Sequence, residues 1–263
     1  MAIKALMCPQ CGANLSLDDS RDFGFCQYCG AKVMLHEVIE VRHTGTVRID
    51  TSGQEENYLK LANAAYSAAN FEEAYSYYAK TLEVNSNNII AIYLKGVSAV
   101  LASTPPALRS SEFVQGAAEA WRMAAGDENN EKVMAELEEY ALGMVDFWLE
   151  LGIPRQPASK EMGACQAEYA KAVSVASLVK SAASSVKRED IKEKMIQTGQ
   201  VFLKKAQSVK LSYIAGHHAD RRGRLAAESK NMAMRPDQIK AMNEVRDYLK
   251  GLARSKHARH AQR

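Results

Sequence analysis

Four of the five cysteines in this 263-residue sequence fall close together and could hold a metal ion. Two residues separate the members of each pair, and fourteen residues lie between the pairs. Two intervening residues let a tight turn direct both sulfur atoms at one ion, and four thiolates at this spacing are typical of a structural zinc site. A glycine follows each pair and can adopt a positive φ, which turns backbone amides toward the thiolates. The cysteines are Cys8, Cys11, Cys26 and Cys29.

Three other kinds of cysteine chemistry fit less well. The start of the sequence, MAIKALMCPQC, has no signal-peptide core, so we expect a reducing cytoplasmic location in which disulfides are rare. A thioredoxin-type redox pair would need a helix start in a βαβ unit, whereas these flanks favour turns and short strands. A rubredoxin-like iron site uses similar turns, but the segment between the pairs has few aromatic residues to build its core. Zinc is therefore favoured, and a site closed by four protein ligands is structural rather than catalytic.

Short strands are predicted beside the cysteine pairs. ANLSL and AKVMLHE alternate as strands do, and FGF leads into the second pair. Together with CPQCGANL and CQYCGA, this order of turn, hairpin, turn and closing strand resembles a zinc ribbon over about residues 6–37. The resemblance implies that the four cysteines bind one structural Zn²⁺ as thiolates. Such a small segment cannot fold by hydrophobic burial alone, so zinc binding is expected to contribute about 10–16 kcal/mol of apparent folding free energy.

A second motif is a thirty-four-residue stretch at 55–88, which has the length of one tetratricopeptide repeat (TPR). Apolar residues at helical spacing predict helices at 55–69 and 71–84, and small residues at Ala62, Ala65 and Ala74 permit close packing between them. LANAAYSAANFEEAYSYYAKTLEVNSNN resembles a TPR unit with three departures: Ala69 stands where the family favours glycine, Thr81 where it favours alanine, and Ser86 where it favours proline. The next stretch, IIAIYLKGVSAVLAS, resembles the first helix of a second unit whose partner is interrupted by STPPALRSS.

One and a half repeats would leave apolar faces exposed, so further helices must complete the stack. Helices predicted at 111–125 and 129–151 are expected to do so, as degenerate repeats or caps. The TPR resemblance implies that the first helix of each pair lines a concave groove for a peptide or a partner helix. That face would hold Leu59, Asn63, Tyr66 and Tyr93, although packing of Tyr66 and Tyr93 between helices is an equally good interpretation.

The C-terminal part is basic. Residues 181–263 contain 19 Lys or Arg and 8 Asp or Glu, a net charge of +11, and the preceding residues carry a net charge of −8. Helical patterns run to about Val186 and from about Glu189 to Gly216, and another follows from about Pro236 to Leu252. A helical hairpin or arm with a basic tail is predicted. The tail could contact an acidic partner, including nucleic acid, or could be a solvated end, since no aromatic residues suited to base stacking accompany its charges.

These patterns predict a mainly α protein in four parts. They are a zinc ribbon at 1–37, a connector at 38–54 that forms either a small hairpin or an extended linker, TPR-like repeats with capping helices at 55–152, and a helical arm with a basic C-terminal tail at 153–263. The order of ribbon, connector and TPR resembles uncharacterised bacterial proteins of that arrangement.

The function predicted from the sequence is that of a non-enzymatic, cytoplasmic adaptor or scaffold with one structural Zn²⁺. No Ser-His-Asp signature, Gly-rich phosphate loop, HExxH motif or catalytic carboxylate pair is present, and no small-molecule substrate or membrane span is expected. A protein or peptide is the expected partner. The alternative is a nucleic-acid-associated factor in transcription or in a mobile-element or phage context, which would use the ribbon and the basic tail.

Overall fold

The computed structural model describes residues 3–7, 13–18, 23–30, 32–34, 52–105, 107–219, 222 and 224–260. The chain divides into two units, Met1–Asp50 and Thr51–Arg263. Positions 38–51 of the predicted connector lie outside the described residues, and its last three positions belong to the first helix. No described helix is long and apolar enough to cross a membrane.

The first unit contains two antiparallel strand pairs. β1 pairs with β2 from Ile3↔Asp18 to Met7↔Asn14, and β3 pairs with β4 from Phe23↔Met34 to Phe25↔Lys32. The pairing therefore differs from the expected hairpin between the two cysteine pairs, because each described strand pair spans one CxxC stretch instead. β1 was not predicted, since its sequence, IKALM, does not alternate cleanly. The strands are β1 (Ile3–Met7), β2 (Asn14–Asp18), β3 (Phe23–Phe25) and β4 (Lys32–Met34).

The second unit is built mainly from helices, which confirms the predicted mainly α class. Eight helices are present in the described part of the chain. The predicted bounds of the helix from residue 71 to residue 84 are confirmed, and the last helix runs eight residues beyond the predicted end at Leu252. The helices are α1 (Ser52–Ser67), α2 (Phe71–Val84), α3 (Ile89–Leu101), α4 (Ser110–Ala124), α5 (Glu128–Gly152), α6 (Met162–Ser185), α7 (Glu189–Ser208) and α8 (Pro236–His260).

The helices form one continuous array. From α3 to α6, each helix contacts the next two helices in the chain, and α7 contacts α8. α1 packs on α2, which in turn packs on α3. Contacts of this order arise when consecutive helix hairpins stack side by side. The region predicted as an arm, 153–263, thus shares a hydrophobic core with α3 to α5. α5 packs closely on α6 at its last residue, where a Cβ on Gly152 would lie 2.9 Å from the Val175 side chain.

Small side chains bring α1 and α2 together, as the sequence predicted. Ala62 and Ala74 are completely buried and Ala65 is nearly so, and Tyr78 fills the space beside them. The Tyr78 hydroxyl donates a hydrogen bond to Oδ1 of Asn63 at 2.8 Å. Because this buried ring finds a polar partner at the surface, the hairpin can close over it without leaving its hydroxyl unsatisfied.

A strained turn joins α1 to α2. The Asn70 N–H donates to the carbonyl of Ala65, and the Ala69 N–H donates to the carbonyl of Tyr66, both at 2.9 Å. This pair of bonds is the Schellman motif, which places the residue before Asn70 in the left-handed region. That residue is Ala69, and its φ is 57°. An L-residue with a Cβ pays an energetic penalty there that glycine avoids.

We predict that Ala69→Gly stabilises the protein by about 1 kcal/mol, because the left-handed backbone is retained without the Cβ. Urea unfolding followed by circular dichroism measures the change. Ala64→Gly is the matched control, since Ala64 is an exposed residue within α1, and there the same substitution is expected to destabilise by about 0.5–1 kcal/mol. Equal effects at the two positions would contradict the strain at Ala69.

A β-hairpin lies between α7 and α8 and corrects the predicted helix from 189 to 216. α7 ends at Ser208, and the chain continues as β5 (Leu211–Ala219), which pairs antiparallel with β6 (Leu225–Met232). Ala206, Val209 and Tyr213 fit helical spacing, but Val209, Leu211 and Tyr213 also alternate with a period of two. The periodicity alone therefore did not separate helix from strand.

Tertiary hydrogen bonds favour the strand. The Tyr169 hydroxyl on α6 accepts from the Leu211 N–H at 3.2 Å and is 2.8 Å from the carbonyl oxygen of Met232, to which it can donate. The Gln156 side chain accepts from the Ser212 N–H at 2.7 Å and donates to its carbonyl at 2.8 Å. Tyr169 and Gln156 thus bind backbone N–H and C=O groups that a strand leaves available. In a helix, the same groups would form hydrogen bonds within the helix.

Candidate functional site

The second cysteine pair forms a turn between β3 and β4. Cys26 is buried and Cys29 is exposed. The Tyr28 N–H points at Sγ of Cys26 at 3.4 Å, and the Gly30 N–H donates to the Cys26 carbonyl at 2.9 Å. Gly30 has φ of 73°, the positive value expected for the glycine that follows the pair. Backbone amides directed at sulfur favour the thiolate form that binds metal.

The first cysteine pair lies outside the described residues, but its flanks are described. Met7 pairs with Asn14, and Phe25 pairs with Lys32, so each strand pair encloses six residues of sequence. The enclosed sequences are CPQCGA and CQYCGA, with cysteine at the first and fourth positions of both. No group of three or more metal-binding side chains occurs among the described residues, which do not include Cys8 and Cys11.

The second candidate site is an open groove between α5 and α7, with a cavity volume of about 730 Å³. Its apolar lining comes from Leu149 and Ile153 at the end of α5 and from Val201 and Phe202 on α7. Val201 is 66% exposed, although it belongs to a helix whose other large apolar side chains face the core. An exposed β-branched side chain in a groove of this size provides a contact for an apolar group of a ligand.

Charged side chains of both signs surround the apolar lining. We call the apolar lining and these charged residues together the α5–α7 groove. Asp146 and Glu150 contribute carboxylates from α5, and Arg155 and Lys205 contribute cations. Burial raises the pKa of Asp146 above its ordinary value, and the nearby Lys194 ammonium partly offsets this rise. Asp146 is nevertheless an exposed residue, so an added positive charge in the groove could reach its carboxyl group and would favour the ionised form.

An aromatic cluster lies where α1 and α2 face α5. Tyr66 meets Phe71 and Tyr140 edge-on, with ring centroids 5.4 and 5.3 Å apart, and Phe71 meets Phe147 at 6.3 Å. Tyr140 and Phe147 are each 40% exposed. Burial, followed by the neighbouring Tyr140, raises the pKa of Tyr66 to about 12. The cluster gives the surface a rigid apolar patch with neutral hydroxyl groups.

The four predicted partner-binding residues have different positions. Leu59 is half-buried and packs against the core, whereas Asn63 is exposed on α1. Tyr66 belongs to the aromatic cluster and is half-buried. Tyr93 is completely buried and meets Phe113 edge-on at 5.7 Å, so its side chain packs between helices and presents no surface to a partner.

The α5–α7 groove was not predicted from the sequence. Val201 lies outside the apolar stripe of Ile191, Met195, Phe202 and Ala206, but so do Ile196 and Leu203, which are buried, and therefore spacing alone did not mark it. Phe147 and Trp148 are adjacent on α5 and differ in burial. Trp148 is buried and its Nε1–H donates to the Val100 carbonyl at 3.1 Å, whereas Phe147 is partly exposed.

Comparisons with protein families, with curated proteins and with solved structures found no match.

We predict that Asp146→Asn increases stability more at pH 7 than at about pH 4. Because the folded-state pKa of Asp146 lies above its unfolded value, the folded protein holds this proton more tightly, and stability is lost as pH rises through that range. Asparagine cannot ionise and removes this loss. Urea midpoints of the wild type and the variant at the two pH values measure the difference, and an equal shift at both would contradict the raised pKa.

Proposed function

We propose that this protein is a non-enzymatic adaptor that binds a peptide segment of a partner protein in the α5–α7 groove and carries one structural Zn²⁺ in its first unit. The groove is the observation that carries the proposal, because it combines an exposed apolar side chain with charged groups on a stacked helical array. Arrays of this kind present extended surfaces formed by successive helices, and such surfaces suit peptide recognition.

The groove favours a segment with an apolar side chain next to a basic residue. The apolar side chain would pack against Val201, Phe202 and Leu149, which line the groove. The basic residue would lie against Asp146 and Glu150, where its positive charge would favour the ionised form of Asp146. Charge pairs of this kind set orientation and specificity, while the apolar contact supplies most of the affinity.

The aromatic cluster would give the partner a second contact surface, on the helix that also forms the groove. Tyr140 and Phe147 lie on α5, the helix that also provides one wall of the groove. Exposed aromatic side chains with defined edge-on packing lose little entropy when they contact a partner. Asn63 and Tyr66, which the sequence placed on the partner-binding face, extend this surface onto α1.

The zinc part of the proposal depends on the two CxxCGA sequences, each of which is enclosed by a strand pair. Cys8, Cys11, Cys26 and Cys29 would hold the ion as thiolates, and the Tyr28 amide at Sγ of Cys26 would stabilise one of them. Four protein ligands complete a tetrahedral site, so the ion would contribute to folding rather than to a reaction.

The groove is tested by replacing Val201 with the photo-crosslinking residue p-benzoylphenylalanine in the native cell. A partner that occupies the groove should become crosslinked at this position, because the side chain is exposed and lies in the apolar lining. The same residue at Lys132, an exposed position at the other end of α5, should give no such product. Mass spectrometry of the crosslinked species identifies the partner.

A binding measurement then completes the test with the identified partner. Val201→Glu should weaken binding by at least about tenfold, which corresponds to about 1.4 kcal/mol, because it places a carboxylate in the apolar lining beside two acidic residues. Thermal unfolding should change little, since Val201 is mostly exposed. Retained binding in this variant, combined with loss in Asn63→Ala, Tyr66→Ala at unchanged stability, would contradict the groove and place the partner on α1.

We predict that Cys26→Ser lowers bound zinc from one ion per chain to well below one and unfolds the first unit. The loss follows because serine does not replace the thiolate as a ligand, and zinc binding supplies the folding free energy of small metal domains. Inductively coupled plasma mass spectrometry measures the metal, and far-ultraviolet circular dichroism should keep its helical signal. Cys165→Ala is the control, because Cys165 is buried on α6 in the second unit and its replacement should leave the zinc content unchanged. Full zinc content in Cys26→Ser would refute the site.

A further inference from the structure

The β5–β6 hairpin is firmly attached to the helical array at its base. Leu211 is buried, and Tyr169 and Gln156 hydrogen-bond to the backbone of the first two residues of β5. The Ile214 N–H donates to the Lys160 carbonyl at 2.9 Å. These contacts set the direction in which the hairpin leaves the array.

In the outer half of the hairpin, most of the described residues are exposed. His217, His218 and Ala219 on β5 are exposed, and on the opposite strand Leu225 is 79% exposed. The residues from 227 to 231 on β6 are also exposed. A two-stranded hairpin with both faces exposed to water is only marginally stable. Burial of side chains therefore does not explain the length of these strands, which is nine residues in β5 and eight in β6.

Basic side chains are concentrated on this hairpin. Between positions 210 and 235 the sequence has six Lys or Arg and two Asp or Glu, together with two histidines. Arg222 and Arg224 lie between the strands, beyond the last pair Ala219↔Leu225, and both are exposed. Lys230 is exposed on β6 beside Glu228, at 3.3 Å. The positive charge therefore extends from the base of the hairpin to its outer end.

The outer half is also narrow. His217 and His218 pair with Ala227 and Ala226, so each pair combines one ring with a methyl group. Adjacent strands lie about 4.8 Å apart. Two strands with side chains of this size match the major groove of B-DNA, which is about 12 Å wide and admits a two-stranded ribbon.

We propose that the outer half of the β5–β6 hairpin binds double-stranded DNA by entering the major groove, with Arg222 and Arg224 contacting phosphates. Phosphate contacts by Arg release condensed counterions and provide sequence-independent affinity. A guanidinium also binds phosphate in a bidentate manner, which suits the end of a narrow ribbon. This inference does not depend on the α5–α7 groove or on zinc.

Addition of a partner strand to the hairpin edge is the competing use of such a ribbon. The register shifts between Ile214 and Gly216, and this irregularity interrupts the row of backbone groups that an added strand would need. Charged side chains along an edge also oppose strand addition. The charge and the width of the hairpin favour DNA.

The test measures fluorescence anisotropy of a labelled mixed-sequence DNA duplex of about 20 base pairs, titrated with the full-length protein at about 50 and 200 mM KCl. The wild type should bind and should lose affinity as salt increases. The double variant Arg222→Ala, Arg224→Ala should bind at least about tenfold more weakly at the lower salt, and the slope of log K against log salt should fall by about 2.

Lys60→Ala, Lys132→Ala is the charge-matched control. Both lysines are largely exposed on helices, in pairs with Glu56 and Glu128, and their removal changes the net charge equally. This variant should bind the duplex within about twofold of the wild type. Thermal unfolding should be unchanged in both variants, because all four positions are exposed.

Four results would overturn the inference. They are no binding of the DNA duplex by the wild type, an equal loss of binding in the control variant, equally tight binding of single-stranded DNA, and equally tight binding of an RNA duplex. The last two follow because single strands have no groove and the major groove of A-form RNA is too narrow to admit a ribbon.

Discussion

A buried carboxylate at the centre of the array positions the helices that form the groove. Glu138 on α5 is completely buried, and its oxygens accept hydrogen bonds from the backbone N–H groups of Lys187 and Arg188 at 2.5 and 2.7 Å. The Nε1–H of Trp121 on α4 donates to the same side chain at 3.1 Å. A buried carboxyl group with three hydrogen-bond donors, two of them next to the start of α7, constrains how α5 and α7 lie together.

The two proposed binding elements depend on this arrangement in different ways. The α5–α7 groove exists because these helices are neighbours in the array although they are not consecutive in the chain. The hairpin between α7 and α8 is attached to the array at its base through Tyr169, Gln156 and the Lys160 carbonyl. A rigid helical core can therefore present a peptide groove and a protruding basic ribbon without either one determining the fold.

Several features of this protein were accessible from local sequence because they depend on neighbouring residues. The alternation of small and large side chains around Ala62, Ala74 and Tyr78 predicted the packing of α1 on α2. The departure from glycine at Ala69 marked the position that adopts a positive φ. The glycine after the second cysteine pair adopts the backbone conformation expected of it, as Gly30 shows. In each case one turn or one helix pair contains all the atoms involved.

The sequence by itself determined the helical class, the main helix boundaries and the equivalence of the two CxxC stretches. Only the tertiary structure decided that 153–263 continues the array, that Tyr93 is buried, and that residues after Ser208 form a hairpin. Val209 to Tyr213 satisfy both the helical and the strand period, and the choice depends on Tyr169, about forty residues earlier. Local periodicity describes which face of a segment is apolar, but the partner that covers that face, or binds its backbone, is distant in sequence and is known only once the chain has folded.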